Sequence, residues 1–352
     1  MYNFTKCGAL PKLFINLSLQ LKIYMKKIIL VGGAGYIGTV LTKHLLRNNY
    51  EVKCIDNLIY GHNDSLVQFQ ENKNFEFLNI DIRKQDLLDK HFENAYSVVL
   101  LAGLVGDPIS KKYPIMSDEI NIQGMINIIN ICDKKKIERL IFTSTCSNYG
   151  ITDNNIKAKE NHKLNPLSLY AKAKVKIEEY LMNLQKNGVV KPTILRFATA
   201  FGLSPRMRFD LTVNEFTKEL VLGNELIVYD PHTWRPYCHT EDFAYLISKV
   251  ISTDIKKTAF EVFNVGDNNN NFTKQMIIDQ IIEYCPNSKV KYLEKGIDKR
   301  NYIVDFSKVN YVLGFKPKYT IKKGIEELIS QIKNNAFDFN SKNQFGNYNL
   351  KI

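Results

Sequence analysis

Tyr170 and Lys174 stand four residues apart in the run Tyr170-Ala171-Lys172-Ala173-Lys174. On a helix that spacing puts a phenol and an ammonium on one face, a turn apart. A free phenol loses its proton near pH 10, too high for a base at neutral pH. A neighbouring cation favours the phenolate and lowers that value, so the pair can take a proton from a substrate hydroxyl. Taken alone the spacing is common, and it equally suits two side chains on a solvated helix face. Its meaning depends on what precedes it.

What precedes it is a glycine pattern. Gly32, Gly35 and Gly38 are spaced GxxGxxG in Gly32-Gly33-Ala34-Gly35-Tyr36-Ile37-Gly38, between an apolar run and a helical stretch. Glycine lets a backbone turn tightly and approach a pyrophosphate, and the helix N-terminus adds N–H donors and partial positive charge. Asp56 ends the next apolar run, where a carboxylate binds the adenosine ribose diol and repels a 2′-phosphate. NAD is therefore expected rather than NADP. Its positive nicotinamide would be a second cation acting on Tyr170, and Lys174 would hold the nicotinamide ribose.

The elements that must position these groups follow from hydrophobic periodicity. Strands are expected at Lys27–Val31, Glu51–Ile55, Phe75–Leu78, Ser97–Leu101, Arg139–Phe142 and Pro192–Arg196. Helices are expected at Gly35–Asn48, Met116–Cys132 and Leu169–Leu184. Strands alternating with helices imply an α/β fold, a Rossmann doubly wound parallel sheet. Beyond Phe201, Gly and Pro punctuate shorter segments, with helices near Glu241–Ile251, Thr273–Tyr284 and Ile321–Lys333. This reads as a smaller C-terminal α/β substrate lobe against the carboxyl ends of the strands. The expected division is an extension over 1–24, a nucleotide-binding domain over 25–200, a mainly substrate-binding lobe over 201–335 and a loose Asn-rich tail over 336–352. Met25, just before the first strand, is a candidate start of translation.

Together these motifs resemble the extended short-chain dehydrogenases, the NAD-dependent epimerase/dehydratase family of nucleotide-sugar enzymes. Asp56-Asn57 and the Asp81-Ile82-Arg83 run after the third strand carry the likeness further. The resemblance implies that Asp81 and Ile82 flank the adenine and that Leu101-Ala102-Gly103 lies beside the cofactor diphosphate. Asn121 matches a structural asparagine, and Phe197 falls in a segment beside the nicotinamide. In Phe142-Thr143-Ser144-Thr145-Cys146-Ser147 the resemblance gives Thr145 the hydroxyl role next to the reacting sugar oxygen, with Ser144 as the alternative. The family's 4,6-dehydratases carry Asp-Glu directly after that threonine. Cys146 and Ser147 stand there instead, which argues against dehydration. Asn214, Arg235 and Arg300 match positions that bind the substrate diphosphate, although the family's usual aspartate after the first arginine is Pro236 here. Ser204-Pro205-Arg206-Met207-Arg208-Phe209-Asp210 and Leu104-Val105-Gly106-Asp107-Pro108 resemble a bacterial surface-polysaccharide subgroup. In it Arg206 or Arg208 would touch a phosphate or sugar hydroxyl, or would be a salt-bridged loop arginine. The resemblance implies an epimerase acting through a 4-keto sugar. A 4-dehydrogenase or reductase stays open, because Val105 replaces the lysine that epimerases carry.

Composition narrows the classes. The chain of 352 residues has a formal charge of +12, from 48 Lys and Arg against 36 Asp and Glu. The basic residues are dispersed, with no long tract of the kind nucleic-acid arms carry, so no nucleic-acid partner is expected. The six cysteines show neither a CxxC pair nor zinc-ligand spacing, so no metal and no disulfide framework is expected. No apolar run reaches the length of a membrane span, and a cytoplasmic homodimer is the expectation. A non-catalytic NAD-binding regulator on the same fold is the other class, disfavoured by Thr145, Tyr170 and Lys174.

Overall fold

The computed structural model describes residues 25–61, 63–153, 156–184, 188–294, 296, 298–340 and 345–351. The extension over 1–24 lies outside them. Short apolar runs rich in Ile, Val and Leu form seven strands: β1 (Lys27–Val31), β2 (Glu51–Asp56), β3 (Phe75–Asn79), β4 (Ser97–Leu100), β5 (Arg139–Thr145), β6 (Lys191–Phe197) and β7 (Glu261–Val265). They make one sheet in the order β7-β6-β5-β4-β1-β2-β3, with every neighbouring pair parallel. Continuous apolar runs suit such a sheet because helices cover both its faces. On one face, Val40, Leu41 and Leu45 of helix α1 (Tyr36–Arg47) pack with Phe243, Ile247 and Val250 of the helix Thr240–Ser252. On the other, Ile128 and Ile129 pack with Ala173, Ile177 and Leu181 of helix α2 (Leu169–Asn183). The strand order reverses between β1 and β4, and a ligand cleft opens at the carboxyl ends of strands on either side of such a switch.

The expected Rossmann sheet is present, with a smaller lobe built on the strands Thr199–Phe201, Trp234–His239 and Asn271–Thr273. Two boundaries differ. Residues 240–265 return to the nucleotide-binding unit, supplying β7 and a covering helix, so a division at residue 200 is crossed by the chain. The tail is not loose where it is described. Phe337, Phe339 and Phe345 surround Phe209 with ring centroids 5.0, 5.2 and 5.9 Å away. The Asn-rich composition concealed these three aromatic anchors.

Candidate functional site

Gly32 leaves β1 with φ +87°, and a Cβ there would lie 2.3 Å from the Ala102 backbone nitrogen. Only glycine lets the loops after β1 and β4 approach so closely. A Cβ on Gly38 would lie 2.5 Å from the Gly33 carbonyl, so Gly38 sets the contact of α1 with its own entry turn. Gly35 caps α1 without a side-chain hydrogen bond, leaving the first-turn N–H groups to a ligand. At the end of β2, the Asp56 carboxylate accepts from Ala34 N at 3.1 Å and Leu58 N at 2.9 Å. Burial raises the Asp56 pKa, while those N–H groups and the charge of Arg206 oppose the rise. Asp56, Asn57, Asp81, Ile82, Leu101, Ala102 and Gly103 join the glycine turn in lining one cleft. Asn57 donates to Asp81 at 2.9 Å, fixing the cleft floor. An uncapped helix N-terminus, a bare backbone turn and a half-buried carboxylate together fit a dinucleotide.

Beside the cleft wall, Ser168 caps α2 by accepting from Ala171 N at 3.1 Å, which places Tyr170 in the first turn. Lys174 is buried, and its Nζ donates to Thr143 O at 2.7 Å. That Nζ lies 5.7 Å from the centre of the Tyr170 ring. Burial pulls the Lys174 ammonium down to about 8, with Glu178 pushing the other way. Thr143 Oγ1 donates to Leu100 O at 2.7 Å, tying the end of β5 to the residue before Leu101. Thr145, two residues on, accepts from Ser147 N at 3.1 Å.

Beneath this lies a buried network that sequence reading missed. Glu178 pairs with Arg196 at 2.7 Å and accepts from Ser144 Oγ and from Asn148 Nδ2, the latter at 2.9 Å. Ser144 is therefore committed to Glu178, whereas the Thr145 hydroxyl is held only by the Ser147 N–H among the described residues. Cys146 is fully buried, with its thiol on the Arg196 carbonyl at 3.1 Å and its pKa pushed up by burial. Glu178 follows Lys174 by four residues, the one signal that could have revealed it.

Arg235 and Arg300 are brought together, both on Asp298. Arg300 forks onto that carboxylate at 2.8 Å through Nε and Nη2, and Arg235 Nη2 lies 3.0 Å from it. Arg300 also donates to Ser147 Oγ at 3.2 Å, so this basic pair adjoins the turn after β5 that follows Thr145. Burial alone would raise the Asp298 carboxyl, but the two guanidiniums hold it well below the usual carboxylate range. Asp298 was not foreseen, although its spacing two before Arg300 marks it.

Several expected residues face elsewhere. Asn214 is fully buried and satisfied, accepting from Gly202 N at 2.9 Å and donating to Tyr36 Oη and to Arg208 O. It braces the lobe and is not presented to a substrate diphosphate. Tyr36 brings its backbone to the cleft, but its phenol donates to Gly202 O at 2.5 Å inside the lobe. Ile37 packs between the sheet core and the lobe core. Asn121 lies in a π-helical segment, Glu119–Gly124, and binds both polar groups of Leu104, at 2.8 and 3.1 Å. It shapes the loop of the cleft wall without lining it. The Phe197 ring stacks on Phe243 at 4.0 Å within the core. Arg206 lines the cleft beside the glycine turn with Arg208, and neither Arg235 nor Arg300 lines it. Side-chain direction at these positions is set by tertiary partners that strand and helix periodicity does not encode.

Among the described residues no group of three or more His, Cys, Asp or Glu could hold a metal ion. No described helix is long and apolar enough to cross a membrane.

A Rossmann sheet with a glycine turn, a terminal acid and a Tyr–Lys helix defines a nucleotide-dependent enzyme of the short-chain dehydrogenase type. The family model of the NAD dependent epimerase/dehydratase family matches residues 28–266, and the chain belongs to that family. It is 28% identical over 313 residues to a Methanocaldococcus jannaschii protein provisionally described as a UDP-glucose 4-epimerase, spanning 88% of this chain and 99% of that one. A Lactobacillus helveticus UDP-glucose 4-epimerase is 24% identical, over 83% of this chain and 92% of its own. The structure of Bacillus cereus UDP-glucuronic acid 4-epimerase, in complex with UDP-glucuronic acid and NAD, superposes with TM-score 0.80 at 26% identity, covering 88% and 99% of the two chains. The protein is an NAD-dependent enzyme of this nucleotide-sugar family.

Proposed function

We propose that the protein is a nucleotide-sugar 4-epimerase. The observation that carries this reading is the shared helix face of Tyr170 and Lys174, with the ammonium 5.7 Å from the phenol ring. Tyr170, as phenolate, takes the proton of the sugar 4-hydroxyl. Thr145 hydrogen-bonds that oxygen and helps relay the proton. Lys174 stabilises the phenolate and holds the nicotinamide ribose. Bound NAD supplies the hydride acceptor and donor at C4, and Gly32, Gly35, Asp56, Asn57, Asp81 and Ile82 hold it. Arg235 and Arg300 fork the substrate diphosphate, exchanging Asp298 for it in part. Phosphate recognition by two guanidiniums leaves the sugar free to present either face once it is a 4-ketone.

Dehydration is disfavoured by position as well as by residue type. The Cys146 thiol is buried on a backbone carbonyl, and Ser147 is engaged by Arg300. Net dehydrogenation is the second reading, favoured by Val105. The likeness of the SPRMRFD and LVGDP segments supports a role in surface-polysaccharide synthesis. A homodimer is supported by Ile115, Leu167 and Leu169, exposed at or near the starts of two helices.

The test is incubation with UDP-, GDP-, CDP- and dTDP-sugars, followed by separation of products. An isomerised sugar without net NADH supports the epimerase. Net NADH from one sugar overturns it in favour of the dehydrogenase.

A further inference from the structure

Arg206 and Arg208 leave one loop but meet different company. Arg208 forks onto Asp210 at 3.0 and 2.6 Å. Arg206 is 4% exposed and lines the dinucleotide cleft, and among the described residues no carboxylate pairs with it. Its guanidinium sits 5.4 Å over the Tyr60 ring and donates to Gly346 O at 3.3 Å. A guanidinium carries five N–H donors, so donors remain for a ligand. Burial and the neighbouring Arg208 pull its pKa down to about 10, against the opposing pull of Asp210, Tyr60 and Asp56. Arg206 N is fixed on Ser204 Oγ at 3.2 Å, and that hydroxyl donates to Tyr36 O at 2.7 Å, so the loop is tied to the first turn of α1. A buried guanidinium with no salt-bridge partner and donors to spare favours an anion in the cleft it lines.

The chain's last described segment crosses the same cleft. Phe345 O accepts from Phe209 N at 2.8 Å, and Asn347 N donates to Asp210 Oδ2 at 3.3 Å. Asn347 lines the cleft, and its Nδ2 donates to Val105 O at 3.4 Å. Leu350 packs on the sheet core, and Lys351 N donates to Ile59 O at 2.7 Å. The strap thus joins the lobe to the loops after β2 and β4.

We propose that Arg206 is a ligand for the diphosphate of the bound dinucleotide, and that the strap from Phe345 to Lys351 holds it in place and retains the cofactor. This rests on reading the cleft as the NAD site. Retention suits an enzyme whose cofactor ends each turnover as it began.

The test is NAD+ affinity and release rate by calorimetry and stopped-flow fluorescence, on wild type, R206M, R206K and L350D, each checked for wild-type circular dichroism. Losing a charged hydrogen bond should weaken NAD+ and ADP-ribose about ten- to hundredfold in R206M. Adenosine binding should be unchanged, and R206K should recover part of the loss as a point charge. L350D should release NAD+ several-fold faster. Equal NAD+ affinity in R206M and wild type overturns the proposal, as does a loss confined to NADP+, which would place Arg206 on a 2′-phosphate. Failure of wild type to bind NAD+ at all would overturn the cleft reading instead.

Discussion

The Lys174 ammonium lies one helical turn from Tyr170, 5.7 Å from the centre of its ring, and is anchored on the Thr143 carbonyl at 2.7 Å. This ties the proposed base and its cation to the strand that also carries Thr145. Removing the phenolic oxygen should stop chemistry but spare the fold. Tyr170→Phe is expected to lower kcat by about 10²- to 10⁴-fold while NAD+ affinity is kept. Steady-state kinetics beside calorimetry checks both halves.

Lys174 should set an alkaline limb. Its folded pKa, lowered to about 8 by burial, is below that of an unfolded lysine. The ammonium is present below about pH 8, so activity of the free enzyme should fall as pH rises through that value. Stability should move the opposite way. The unfolded chain binds the proton more strongly between about pH 8 and 10, so this group's contribution to stability rises across that window and is lower beneath it. Denaturant melts of wild type and Lys174→Met, compared at pH 7 and pH 10, should show the slope flattened in the variant.

The Glu178 and Arg196 pair is buried, with a 2.7 Å contact. Removing one partner strands the other charge. Glu178→Ala is expected to cost about 3–5 kcal/mol of stability, read from urea midpoints.

Arg300 is expected to act in binding more than in chemistry. Arg300→Met should raise KM for the nucleotide sugar about tenfold or more with kcat little changed, since diphosphate contacts serve ground and transition state alike. Initial rates over substrate concentration decide this.

The sequence made the scaffold legible because its signals are local. Buried apolar runs and the GxxGxxG turn mark β1, β2 and α1 wherever the rest of the chain goes. The Tyr170 and Lys174 pairing was legible for the same reason, as a single helical spacing. What escaped depends on contacts distant in sequence. Asn214 matches a binding position by its neighbours, yet Tyr36, 178 residues away, takes its side chain. Phe197 ends a strand beside the site, but Phe243 draws its ring inward. Asn347 carried no signal, because its place follows from three phenylalanines closing on Phe209.

The most direct measurement follows a sugar carrying deuterium at C4 through the reaction, with NADH absorbance read in parallel. The account expects the product to keep its label at C4, in the opposite configuration, without net NADH. Label lost to solvent, or a new configuration at a carbon other than C4, would contradict it.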